Sequence, residues 1–82
     1  MVTSILRLPA VKARTGLSRS TVYLHVSQGL WTKPVKIGPQ ASGWPDGEVE
    51  ELIQARIAGK SDEEIRLLVA KLEADRNTVK AE

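Results

Sequence analysis

Between Leu8 and Trp31 the chain carries two short helical segments around a break that neither can cross. Pro9 suits the opening of a helix, because its missing N–H is one that no helical acceptor would have taken. Thr15-Gly16-Leu17 interrupts the pattern, and Gly16 supplies the positive φ that so tight a turn requires. Ser18 is placed to cap a second helix by accepting from the free N–H groups of its first turn. Gly29 stops that helix about three turns later, in the manner of a C′ glycine. The expected helices are Pro9 to Arg14 and Ser18 to Gln28. Val11 is the inward residue of the first. Val22 and Val26, spaced i, i+4 and bracketed by Leu17 and Leu30, face inward from the second. Arg19, Ser20, Tyr23 and Ser27 occupy its other face. Two helices joined by a Gly-containing turn form a helix-turn-helix unit.

The rest of the chain surrounds this unit with smaller signals. Met1 to Leu6 is a short apolar lead-in that suits extended backbone. Val35-Lys36-Ile37 alternates apolar and charged residues as a half-buried strand does. Gly38 to Gly43 is a turn-rich loop, and Trp44 lies on the returning strand, so a two-stranded wing is expected with Trp44 packed beneath it. Asp46 stands as the cap of a third helix, with Glu48 near its positive end. Val49, Leu52, Ile53 and Ile57 form the apolar stripe of that helix, and Gly59 stops it. Ser61-Asp62-Glu63-Glu64 has the capping-box spacing. It opens a fourth helix whose stripe is Ile65, Leu68, Val69 and Leu72. Asp62, Glu63, Arg66, Lys71 and Glu73 are expected on its solvated face. That stripe either packs back onto the first three helices or pairs with a second copy; four apolar residues are too few for an independent coiled coil. The expected organisation is a domain over residues 1–59, an amphipathic helix over 60–77 and a frayed tail over 78–82.

Charge is segregated along the chain. Residues 1–44 hold Arg7, Lys12, Arg14, Arg19, Lys33 and Lys36 with no acid, whereas residues 45–82 hold six bases against ten acids. The halves carry +6 and −4, which the overall +2 conceals. A basic lobe on a near-neutral chain is the footprint of a polyanionic partner, and the second helix of a helix-turn-helix is suited to the DNA major groove.

Other classes are disfavoured. With 82 residues there is room for one small core, and with no Cys there is neither a disulfide framework nor a Cys-based metal site. No apolar run approaches the length of a membrane span, and the start of the chain lacks a signal-peptide pattern. The single His25, at a position suited to partial burial, and serines confined to turns and caps leave no catalytic constellation, so no enzyme and no cofactor are expected. Gly38 and Gly43 do not have phosphate-loop spacing.

The runs RLPAVKARTGLSRSTVY, QGLWTKPVKIG and GW, followed by an acidic-capped helix, resemble the AlpA family of phage and prophage regulators. These are small winged helix-turn-helix proteins, similar in plan to MerR DNA-binding domains and phage excisionases. The resemblance covers about residues 5–57. It implies a mainly α winged helix-turn-helix with a two-stranded wing, here with an additional C-terminal helix, binding double-stranded DNA in a bacterial or phage-infected cytoplasm. By the resemblance, Ser18, Arg19, Ser20 and Tyr23 touch DNA, and the wing after Ile37 meets the minor groove or backbone. Lys12, Arg14, Lys33 and Lys36 are the expected phosphate contacts. Three positions depart from the family pattern. Leu24 and His25 stand where Arg and an apolar residue are common. Pro39 and Gln40 replace a wing Arg, and Ala10 replaces a Glu. An excisionase-type factor that bends DNA and a protein-binding module on the same fold are the alternative functions. Self-association through Ile65, Leu68, Val69 and Leu72 is the alternative role of the fourth helix.

Overall fold

The computed structural model describes residues 4–80, with side chains as far as Arg76. The elements follow in the order β1 (Ile5–Leu6), α1 (Leu8–Thr15), α2 (Arg19–Ser27), β2 (Val35–Gly38), β3 (Ala41–Pro45), α3 (Asp46–Ile57) and α4 (Asp62–Lys80). This is the expected mainly α winged helix-turn-helix with its added C-terminal helix.

The sheet has three strands rather than two, in the order β1-β3-β2, with every pairing antiparallel. The apolar lead-in supplies the extra strand: Ile5 pairs with Pro45 and Leu6 with Trp44. Gly43 is what lets it approach. A Cβ at that position would lie 2.6 Å from Ile5 Cγ2 and 2.7 Å from the Leu6 carbonyl oxygen, closer than real contacts allow. The turn between β2 and β3 is therefore only Pro39-Gln40, and Ala41 to Gly43 are strand, not loop. The β2–β3 register slips between Lys36 and Gly38. This irregularity breaks the expected alternation, leaving both Lys36 and Ile37 exposed.

The α1–α2 turn is built as the sequence suggests. Gly16 takes φ 74° and donates its N–H to the Lys12 carbonyl. Thr15 adds a brace, its hydroxyl donating to Val11 O at 2.8 Å and accepting from Leu17 N at 3.2 Å. Ser18 caps α2, accepting from Thr21 N at 3.3 Å.

Asp46 does not cap α3. Pro45 holds the cap position and Asp46 is the first helical residue, its N–H donating to Ser4 O at 2.7 Å in continuation of the β1–β3 pairing. Its carboxylate instead accepts from Arg14 Nη1 at 3.0 Å. The buried face of α3 is rotated from the expected stripe: Val49, Leu52 and Ala55 are buried, Ile53 is half-buried, and Ile57, at the helix end, is 75% exposed.

The capping box of α4 is formed reciprocally, with Ser61 N donating to Glu64 Oε1 at 3.0 Å and Glu64 N donating to Ser61 Oγ at 3.2 Å. The Ser61 backbone and hydroxyl, aided by Lys60, hold the Glu64 carboxyl below the usual carboxylate range. The stripe of α4 is used inside the domain. Ile65, Val69 and Leu72 join Val11, Val22, Leu30, Trp31, Trp44, Val49, Leu52 and Ala55 in one core, with Leu68 packed against it. The helix runs on to Lys80, into the segment expected to fray; residues 81 and 82 lie outside the described residues.

The flank of α4 is not merely solvated. Arg66 Nε donates to Gln28 O at 2.9 Å. Lys33 N donates to Glu73 Oε2 at 2.9 Å, and Lys33 O accepts from Arg76 Nη2 at 2.8 Å. Arg76 also grips the buried Glu48 carboxylate through two bonds of 2.6 and 2.7 Å, which raise its own pKa further. The fourth helix thus clamps the chain that leaves α2, residues 28–33.

Candidate nucleic-acid interface

The face of α2 that points away from the core is set by helical spacing. Val22 is buried, while Val26 and His25 are half-buried beside it; Arg19, Ser20, Tyr23, Leu24, Ser27 and Gln28 are exposed. At 3.6 residues per turn these exposed residues cover about half the circumference, with Ser20 and Ser27 near the middle of the arc. No acid lies on it.

The expected DNA-contacting residues are thereby brought together on one surface. Ser18 is exposed at the head of α2, within 3.3 Å of the Ser20 hydroxyl and 2.9 Å of the Thr21 hydroxyl. The Arg19 guanidinium lies over the Tyr23 ring, 5.9 Å from its centroid. Tyr23 in turn meets Trp44 with ring centroids 6.2 Å apart and planes tilted by 55°. Trp44 is fully buried and anchors its indole N–H on Thr32 O at 2.8 Å. A single aromatic column therefore ties the exposed end of α2 to the central strand of the sheet, and β2, which carries the wing, pairs with that same strand.

The expected phosphate contacts are spread more widely. Lys12 is exposed on α1, Lys36 on β2 and Lys33 on the α2–β2 connection; among the described residues no ion pair engages their side chains. Arg14 differs, because Asp46 holds its guanidinium in an exposed ion pair. The half-buried His25 instead lines a shallow groove with Arg14, Leu17, Trp31, Ile53 and Arg56. Among the described residues no cluster of His, Asp or Glu is arranged to hold a metal, and no helix is long and apolar enough to cross a membrane.

Sequence reasoning named the polar side of α2 and marked Leu24 only as a departure from the family pattern; it is 52% exposed on the same arc. The signal was present: Leu24 falls i+4 from Ser20 and outside the Val22–Val26 face.

A family model described as the prophage CP4-57 regulatory protein AlpA matches residues 4–57. The chain is 38% identical to an uncharacterized protein, ORF88, of enterobacteria phage P4 over 67% of its own length and 62% of that protein's, so it spans less than two thirds of this relative. It is 33% identical to the DNA-binding transcriptional activator AlpA of Escherichia coli K12, over 63% of this chain and 83% of that one. No solved structure matches the chain. The match over 4–57 takes in the first sheet strand, the helix-turn-helix, the wing and α3, and by it the chain belongs to the AlpA family of prophage regulatory proteins.

Proposed function

We propose that this protein is a sequence-specific DNA-binding regulator of phage or prophage type, with α2 lying in the major groove and the β2–β3 wing resting on adjacent backbone. The observation that carries the proposal is the outward arc of α2. It displays Ser18, Arg19, Ser20 and Tyr23 without an acid, in a half of the chain that contains no acid at all. The E. coli relative's description as a DNA-binding transcriptional activator supports the same class.

Arg19 has the planar fork that pairs with guanine O6 and N7, and Tyr23 braces it from below. Lys12, Lys33 and Lys36 set the pose on phosphates, supported by Arg14 where it can share its charge with Asp46. The proposed binding unit is a single domain, because Ile65, Val69 and Leu72 already serve its own core.

Selection of bound duplexes from a random pool tests the proposal. A recovered motif, bound with an affinity that falls steeply with salt, is the expected result. Binding that is indifferent to sequence, or no salt-dependent binding at all, refutes it. Within the motif, a single site fits the one-domain unit, whereas a repeated half-site points to association through another surface.

A further inference from the structure

We infer that Leu24 is a specificity-determining side chain that takes the 5-methyl group of a thymine in the major groove. The inference rests on the proposed docking of α2. Scattered exposed leucines are ordinary on protein surfaces, so exposure alone carries nothing. The argument is the company Leu24 keeps. It lies beside Ser20 and Ser27 on the outward arc, one helical turn from each, and it is the one aliphatic side chain there.

Apart from the exposed Gln28 at i+4, its neighbours on the arc are short or engaged. Ser27 is turned back on the helix, its hydroxyl donating to the Leu24 carbonyl at 2.7 Å. The Ser20 hydroxyl lies 3.3 Å from that of Ser18. Arg19 is gathered against Tyr23, at the other edge of the arc. Leu24 therefore projects from the arc beside the two serines, on the side away from Arg19, and it can offer only apolar contact. On a base-pair edge in the major groove, the apolar group is the thymine methyl.

The test uses the duplex site recovered from the random pool, with each thymine replaced singly by deoxyuridine, which removes one methyl and leaves the pairing edge intact. The expected result is one thymine at which the wild-type chain loses about four-fold in affinity, the worth of one buried methyl. Leu24→Ala should bind the thymine and uracil forms of that position alike, with an unchanged circular-dichroism spectrum, because the residue is exposed and Ala favours helix. A thymine penalty that survives in Leu24→Ala assigns the methyl to another group and overturns the inference. A recovered motif with no methyl-sensitive thymine also overturns it, while leaving the proposed DNA binding intact. Failure to recover any motif refutes both.

Discussion

Removing Arg76 should destabilise the domain far more than the loss of an ordinary surface cation. Its guanidinium makes two bonds to the Glu48 carboxylate and a third to the Lys33 carbonyl, which is why one side chain can tie α4 to the first turn of α3 and to the chain leaving α2. Glu48 is only 7% exposed, so Arg76→Ala leaves a carboxylate with little water and no cation. Breaking one side of a buried pair costs about 3–5 kcal/mol. The Arg76 side chain is 24% exposed, so solvent reaches part of the vacated space and the expected loss falls to about 2–3 kcal/mol. A domain of 82 residues has on the order of 4–12 kcal/mol in all, so this is a large fraction. Urea unfolding followed by the fluorescence of the buried Trp31 and Trp44 measures it. Glu48→Gln in the Arg76→Ala background should restore at least half of the loss, because it removes the stranded charge. A change below about 0.5 kcal/mol in Arg76→Ala, of the size seen for exposed pairs, would refute the reasoning. So would a double variant no more stable than the single one.

Other perturbations reach other parts of the fold. Trp44→Ala removes a fully buried indole and its bond to Thr32 O and should cost about 3–5 kcal/mol; an unchanged melting temperature contradicts the aromatic anchor. Gly43→Ala should cost about 1–3 kcal/mol and expose the Asp46 amide to faster hydrogen exchange, because the added Cβ pushes against the Leu6 backbone. Glu64 has a folded-state pKa below its unfolded one, so its stabilisation of α4 is present at neutral pH and is lost as pH falls through the lowered folded value. Carboxyl titration by NMR, with Glu64→Gln removing this component of the pH dependence, checks the sign. Arg19→Ala should weaken binding to the selected DNA site by about 1–3 kcal/mol and relax preference at one base pair without altering the melt; tight, unrelaxed binding contradicts the docking of α2.

The helix-turn-helix was legible because each of its parts has a local chemical cause. A glycine allows the turn, a serine caps α2, and valines at i, i+4 orient it, all within the span of Thr15 to Val26. The capping box of Ser61 and Glu64 was legible for the same reason. Strand β1 was not, since two apolar residues have no period; what specifies them is Gly43, nearly forty positions away, whose missing side chain admits Ile5 and Leu6. Ile37 misled because alternation signals a flat strand, and a local register slip undoes the alternation without leaving a mark in composition.

The clamp of α4 was hidden for a different reason. Helical periodicity separates an apolar stripe from everything else, so Arg66 and Glu73 fell by default to the solvated side. Yet a long polar residue flanking a stripe can lie along the neighbouring chain and bond its backbone. Arg66 meets Gln28 O, Glu73 meets Lys33 N, and Arg76 meets Lys33 O. Every residue except proline presents the same N–H and C=O, so the partners of such bonds carry no signature in their own side chains. Glu48 and Arg76 meet side chain to side chain, but they stand 28 positions apart with several other acids and bases to choose from. The outward arc of α2 was legible because a helix surface is written in consecutive residues. The clamp that holds the end of that helix in place is written in backbone atoms, and it becomes visible only once the chain has folded.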